Sequence, residues 1–204
     1  MICTLLPLTK NKMEILKTIY EEKESHLSEL AKQLKLHPFS VQKTLSKLKH
    51  LLKERRAGRT IILSINKDLN EYLELCSLIE DYKLKTEDPI VKLLIKNLQE
   101  FFSKDTNILC CIIFGSIARG LYNKESDIDL LFIVKSKFRE IHRRCNQLAS
   151  VLNKEINPLI MNEEEFIKAT QSGEATIFSI LEPSQRLIAV GRNYFLKLIA
   201  DIKP

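Results

Sequence analysis

Two short runs, Ile108-Leu109-Cys110-Cys111-Ile112-Ile113-Phe114 and Leu130-Leu131-Phe132-Ile133-Val134, contain no charged side chain. A strand sends successive side chains to opposite faces, so a run that is apolar at every position predicts a strand buried on both faces of a sheet. Between these strands lie Gly115-Ser116 and, after ten intervening residues, Asp127-Ile128-Asp129. Strand periodicity puts the carboxylates of Asp127 and Asp129 on one face and Ile128 on the other. Two carboxylates so placed repel unless a divalent cation sits between them, and a pair of ions about 4 Å apart is the recurring device of phosphoryl and nucleotidyl transfer. Gly115 lets the backbone turn sharply and leaves room for a phosphate, to which the amide and hydroxyl of Ser116 can donate.

Regular elements are expected around this core. Ile90 to Phe102 has the spacing of an amphipathic helix, Lys154 to Met161 reads as a strand, and Arg186 to Val190 as a further strand closed by Gly191. Glu163-Glu164-Glu165 opens a helix, where acids complement the positive end of the helix dipole, so the run is read as capping. Thr86-Glu87-Asp88-Pro89 combines a helix stop with a cap for the next helix and marks a domain boundary.

Charge divides unevenly along the 204 residues. Residues 1–66 hold 13 of the 32 Lys and Arg but 6 of the 26 acids, a net of +7 that leaves −1 for the rest of the chain. The basic third also carries a pattern. Met13, Leu16, Ile19 and Tyr20 recur at helical spacing within 11–22, and Leu27, Leu30, Ala31 and Leu34 define a second short helix. Pro38 then opens a third, to Leu51, whose buried stripe is Val41, Leu45, Leu48 and Leu52. Its outer face carries Ser40, Gln42, Lys43, Ser46 and Lys47, side chains suited to the major groove of duplex DNA. A basic turn, Lys53 to Thr60, precedes the β-prone Ile61 to Ile65, which predicts a hairpin whose tip presents Arg55, Arg56 and Arg59 to phosphates or the minor groove. Helix, helix, helix and basic hairpin in this order resemble the winged helix-turn-helix domains of bacterial and archaeal transcription regulators, over roughly residues 8–66. Asn66 to Lys85 is helical in pattern and is expected to connect the two halves, either supporting a homodimer or packing on the second domain.

In the second half, strand, Gly-Ser, spacer, Asp-x-Asp and strand resemble the DNA polymerase beta-like nucleotidyltransferases. Gly115-Ser116-Ile117-Ala118-Arg119-Gly120 with Ser126-Asp127-Ile128-Asp129-Leu130 is similar to the minimal nucleotidyltransferases, small prokaryotic members of that superfamily, over roughly residues 88–192. The resemblance implies a mixed sheet with helices on one side, two Mg²⁺ ions held by Asp127 and Asp129, and an NTP whose triphosphate rests on Gly115 and Ser116. It implies Arg119 as a phosphate or acceptor contact, with an ion pair to a neighbouring acid as the alternative. A third carboxylate, which deprotonates or positions the attacking group, lies on the adjacent strand in these enzymes. Here that strand offers Glu155, taken as the third catalytic residue beside Asp127 and Asp129, while Asn157 is the other candidate for the position. An amide can ligate a metal but cannot accept a proton at neutral pH, so Asn157 in that place would impair general-base catalysis.

The expected architecture is α+β: a mainly helical winged domain with a β-hairpin over 1–66, a connecting helix and linker over 67–87, and a mixed-sheet nucleotidyltransferase domain over 88–204. The leading reading is a DNA-binding protein with a Mg²⁺-dependent domain that transfers NMP from NTP to an acceptor, a protein or an RNA end among the candidates, with a regulatory or antitoxin-like role. The alternative is a DNA-binding transcriptional regulator whose transferase domain is inactive and senses nucleotide. An RNA-end modifying enzyme fits less well, because the chain lacks an evident base-stacking aromatic platform. The longest apolar run is too short to cross a bilayer, which argues for a soluble, cytoplasmic protein without a membrane partner. The five cysteines, Cys3, Cys76, Cys110, Cys111 and Cys145, form no C-x-x-C pair, and the four histidines lack ligand spacing, so neither disulfides nor a zinc site is expected.

Overall fold

The computed structural model describes residues 8–85, 88–136 and 138–202; Cys3 and the boundary residues Thr86 and Glu87 lie outside them. The chain divides into two compact units, one running to Tyr82 and the other starting at Lys83. No described helix is long and apolar enough to cross a membrane.

In the first unit, α1 (Lys10–Glu22), α2 (Leu27–Gln33) and α3 (Pro38–Leu48) pack through the expected stripes, with Leu16, Ile19, Leu30, Val41 and Leu48 fully buried. Pro38 takes the first position of α3 and the His37 ring accepts the Phe39 N–H as a cap. The helix is shorter than expected. It ends at Leu48, a 3₁₀ turn covers Lys49–Leu51, and Leu52 begins strand β2 (Leu52–Ala57) instead of closing the helical stripe. Strand β3 (Thr60–Ile65) returns antiparallel, with Ala57 opposite Thr60 and Gly58 at φ +61° in the tight turn between them. A two-residue strand β1 (Ser25–His26) pairs with the far edge of β3.

Helix α4 (Tyr72–Lys83) starts six residues later than the apolar pattern from Asn66 suggests. The Asn66 side chain accepts the Asp68 N–H at 3.1 Å, a local turn that competes with helix formation. Helix α4 lies on α1: the Tyr20 hydroxyl donates to the buried Glu80 carboxylate at 2.9 Å, and Tyr82 donates to Glu14 at 2.7 Å. Burial, then the Glu14 hydrogen bond and charge, push the Tyr82 hydroxyl up to about 12.

In the second unit, β4 (Ile108–Phe114), β5 (Ile128–Val134), β6 (Ile156–Asn162) and β7 (Leu187–Val190) form one sheet in the order β6-β5-β4-β7. The β4–β5 and β4–β7 pairs are antiparallel and β5–β6 is parallel, so the sheet is mixed. Helices α5 (Pro89–Phe102) and α7 (Phe138–Leu152) cover one face through Leu94, Leu98, Phe102, Cys145 and Leu148, against Cys111, Ile113, Leu130 and Phe132. The opposite face carries Cys110, Ile112, Leu131 and Ile133, all fully buried, and is covered by α8 (Glu163–Gln171) and α10 (Arg192–Ile202). Helices therefore lie on both sides of the sheet, not on one. The physical reason is the two-faced apolarity of β4 and β5, which leaves no face fit for water. The short helices α6 (Gly115–Ala118) and α9 (Ala175–Leu181) complete the unit. Cys76, Cys110, Cys111 and Cys145 are buried and form no disulfide, and burial pushes the Cys110 thiol up to about 12.

The ends of these helices follow chemistry legible in the sequence. Asp88 caps α5 by accepting the Ile90 and Val91 N–H groups, and Pro89 fills the first helical position. Asn162 accepts the Glu165 N–H at 2.9 Å while Glu165 accepts the Asn162 N–H at 2.8 Å, a reciprocal capping box that opens α8. Asn162→Ala should cost about 1 kcal/mol of stability through loss of the cap. Phe132→Ala should cost about 3–5 kcal/mol, since the ring is fully buried and packs edge-on against Phe102 at 5.0 Å. Urea unfolding followed by circular dichroism checks both values and their order.

Candidate functional site

The site grows from the place where β4 stops. Phe114, its last residue, is level with Asp129 on β5, so the turn after β4 meets the first residues of β5. Gly115 holds φ +69°, and a Cβ on it would lie 2.2 Å from Asp129 Oδ2. Only glycine allows this approach, since an ordinary Cβ would occupy the space of the carboxylate. Ser116 is half-buried in α6, and Leu121 donates its N–H to the Ser116 carbonyl at 2.9 Å, folding the chain back after the turn. Gly115, Ser116 and Asp129 thus meet at one end of the sheet.

Asp127 is exposed and Asp129 half-buried on the same face. Burial, and then the neighbouring Asp127 charge, raise the Asp129 carboxyl above its usual range, while a hydrogen bond from Asn157 and the Arg119 charge oppose the rise. Arg119 donates through Nε to the Gly115 carbonyl at 3.2 Å, so its guanidinium stands over the turn and not in an ion pair among the described salt bridges.

On β6 the parallel register sets Asn157 level with Asp129, and Asn157 Nδ2 lies 3.4 Å from Asp127 Oδ2. The amide therefore stands between both aspartates. Glu155 comes two residues earlier, just before the strand; its carbonyl accepts the Ile128 N–H at 2.9 Å and its side chain is exposed. Among the described residues there is no group of three or more His, Cys, Asp and Glu side chains that could hold a metal ion. The donor set that is present, two carboxylates and one amide oxygen, consists of hard oxygen ligands and leaves positions for water and substrate phosphates, as Mg²⁺ prefers. Asp127, Asp129 and Asn157 would hold such an ion.

One contributor carries no signal in the sequence. Lys154 Nζ donates to three backbone carbonyls, Lys124 at 2.8 Å, Ser126 at 3.0 Å and Asn123 at 3.4 Å. The ammonium gathers the turn that leads directly into Asp127. Asn123 stiffens the same turn by accepting the Glu125 N–H at 2.8 Å. Such a convergence of carbonyls depends on β6 lying beside β5, a pairing that no local pattern announces. Further along the loop, Tyr122 is tied to Asp88 at the start of α5; this hydroxyl is the largest cause holding the Asp88 carboxyl below its usual range.

In the first unit, Ser40, Gln42, Lys43, Ser46 and Lys47 are all exposed or half-buried on α3. The basic hairpin differs from the expectation in one respect. Arg55 and Arg56 lie within β2, opposite Ile62 and Ile61, and only Arg59 belongs to the turn. Arg55 is moreover paired with Glu24 at 2.9 Å, because strand regularity extends the hairpin and carries Arg55 back towards the loop after α1. Arg56 and Arg59 remain exposed. A charged recess of about 480 Å³, lined by Lys104, Asp105, Glu140, Arg143 and Arg144, lies near the start of β4, away from Asp129.

Comparisons with known proteins agree with the two halves. Residues 96–188 match the family model "Polymerase beta, Nucleotidyltransferase", and residues 9–68 match the "M protein trans-acting positive regulator (MGA) HTH domain". The two matches fall on the two units separately, a helix-turn-helix domain model on the first and a nucleotidyltransferase domain model on the second. A curated relative, "Putative protein adenylyltransferase" of Methanocaldococcus jannaschii, is 40% identical over 57 residues, 28% of this chain; the chain spans 57% of that relative's length. Among solved structures, Lactococcus lactis ZitR is similar at 24% identity and a TM-score of 0.30, covering 47% of this chain and 74% of that one. A toxin-antitoxin structure with AMP-PNP is similar at 18% identity and a TM-score of 0.35, covering 54% of this chain and 84% of that one.

The geometry sets a pH expectation. A carboxyl whose folded pKa is raised favours the fold below its unfolded pKa, and that contribution is lost as pH rises through the folded value. In metal-free protein Asp129 should titrate above the usual aspartate range by carboxyl ¹³C NMR. Asp127→Asn should bring it down by removing a like charge, and Asn157→Ala should take it further up by removing a donor.

Proposed function

We propose that the second domain binds a Mg²⁺–NTP complex at Gly115, Ser116, Arg119, Asp127 and Asp129 and transfers the NMP group to a hydroxyl of a protein acceptor, and that the first domain binds duplex DNA. The observation that carries the first part is the contact of Gly115 with Asp129: a glycine turn at positive φ lies directly against one of two same-face carboxylates. The family match over residues 96–188 supports the reaction class. The name of the Methanocaldococcus relative supports ATP as donor and protein as acceptor.

In the reaction the acceptor oxygen attacks the α-phosphorus, a P–O bond forms, the α–β anhydride bond breaks, and pyrophosphate leaves. Bound Mg²⁺ would supply charge neutralisation at the phosphates and lower the pKa of the attacking hydroxyl. Gly115 and the Ser116 amide cradle the triphosphate, and Arg119, standing over that turn, offsets its negative charge. Asp127 and Asp129 would hold the cation. The acceptor proton has no carboxylate to receive it at the Asn157 position and passes to solvent, unless Glu155 reaches it from the start of β6.

The same amide favours a second reading, a nucleotide-sensing regulator that binds NTP but transfers slowly. Single-turnover assays on three proteins separate the two. If Glu155 acts as base, Glu155→Gln should keep metal and NTP binding and lose about 10²- to 10⁴-fold in transfer rate. If the domain only senses nucleotide, wild type should show negligible transfer and Asn157→Asp should raise it. For both readings, Asp127→Asn with Asp129→Asn should abolish Mg²⁺-dependent NTP binding by calorimetry without unfolding the protein. Equal NTP affinity in wild type and double variant, with and without Mg²⁺, contradicts them. Labelled ATP with cell lysate and Mg²⁺ identifies the acceptor.

For the first domain, the basic excess supports duplex binding that weakens steeply with salt. Arg56→Ala with Arg59→Ala should weaken binding to all sequences and lower the log–log salt slope by about 0.9 for each phosphate no longer neutralised. Arg55→Ala should do less, because Glu24 already neutralises that guanidinium. Changes at Gln42, Lys43 or Ser46 should instead alter sequence preference. Filter binding between low and moderate salt checks the contrast.

A further inference from the structure

Phe39 lies where a phenylalanine gains nothing from the core. Phe102, Phe132, Phe166 and Phe195 are fully buried, whereas Phe39 is 68% exposed at the second position of α3. It does not stand alone on a random surface. Phe39, Gln42, Lys43 and Ser46 are spaced i, i+3, i+4 and i+7, so they share one stripe of the helix, opposite the buried Val41 and Leu48. No residue of α3 is acidic, and Lys43 and Lys47 give the helix a positive surface. The ring therefore heads the face on which base-reading side chains would sit.

The conformation fixes it there. The His37 ring accepts the Phe39 N–H at 3.3 Å, Pro38 presets the first helical turn, and the Ser40 N–H returns to the His37 carbonyl at 2.9 Å. The ring is thus carried on an ordered helix start and not on a loop. In a helix-turn-helix the N-terminal residues of the recognition helix reach the base edges. The apolar group available there is the thymine 5-methyl, which projects into the major groove and which phenylalanine can cover.

We infer that Phe39 is a specificity-determining residue that reads a thymine methyl group in the major groove of the bound duplex. The inference rests on the proposed DNA binding of the first domain. It assigns to Phe39 a direct apolar contact, complementary to hydrogen bonds from Gln42 and Lys43 one turn later. The exposed ring then sheds water only on DNA bearing a thymine at that position, which turns an apolar surface residue into discrimination.

The test uses the full chain and duplexes selected by it from a random pool. Each thymine in a selected site is replaced in turn by deoxyuridine, which removes only the methyl group. At one position in the site wild type should lose affinity by about fourfold, the weight of one buried methyl-sized group. Phe39→Ala should bind thymine and deoxyuridine duplexes equally, and Phe39→Leu should keep part of the preference. Wild-type binding that is indifferent to uracil at every position overturns the inference. So does a Phe39→Ala protein that keeps full methyl discrimination, or one that weakens equally on both duplexes, as a ring wedged between base steps would. Failure of wild type to bind duplex DNA at low salt overturns the DNA-binding reading itself. Circular dichroism of each variant separates a change in binding from a change in folding.

Discussion

The second domain depends on one contact between a missing side chain and a carboxylate. Asp129 occupies the volume that any Cβ at position 115 would need. The strand pairing that sets Phe114 level with Asp129 makes the approach unavoidable, and the positive φ of Gly115 makes it sterically free. Half-burial of Asp129 follows from the same packing, and so does its raised pKa. A carboxylate held this way is poorly solvated when ionised, so a cation beside it gains more than it would next to a free aspartate.

The rigid parts and the chemical parts of this domain are arranged so that one supports the other. β4 and β5 are buried on both faces under helices, so neither can shift without disturbing close packing on both sides of the sheet. Their ends inherit that precision. The loop from Arg119 to Ser126 has no such core, and it is held instead by polar bonds: Lys154 to three carbonyls, the Asn123 turn, and Tyr122 to Asp88. Asp127 is the residue that benefits, because it follows the clamped turn immediately.

Much of this is legible in the amino-acid order. β4 is bounded as its apolar run predicts, and the Gly-Ser and Asp-x-Asp strings meet as strand periodicity requires. The α8 cap is legible as acids at a helix start, though the reciprocal Asn162–Glu165 pair shows only in the three-residue spacing. Other features depend on what lies across space. Arg55 reads as a hairpin-tip cation until strand pairing places it within β2 beside Glu24. The second helical layer follows from the two-faced apolarity of the strands, which outweighs the one-sided arrangement that the family resemblance implies. Lys154 reads as an ordinary surface lysine, since its partners are backbone carbonyls that carry no sequence signature. Phe39 lies off the Val41–Leu48 stripe of α3, and the folded helix shows its ring exposed.

The amide at Asn157 has an electrostatic meaning apart from catalysis. A carboxylate level with Asp129 would add a third like charge to a pair that already repel, and the metal-free site would have to take up a proton or distort. Asn157 instead offers a donor to the ionised pair: it lies 3.4 Å from Asp127 and counteracts the upward shift of Asp129. The amide thereby offsets part of the burial and like charge that act on Asp129 in the metal-free site. When the cation enters, rotation of the amide would present its oxygen in place of its nitrogen, so the same side chain serves both states. A carboxylate can accept a proton but cannot donate to its neighbours once ionised. The amide has the reverse property, and it is this exchange, of proton acceptance for tolerance of the empty state, that distinguishes the site from one built around three acids.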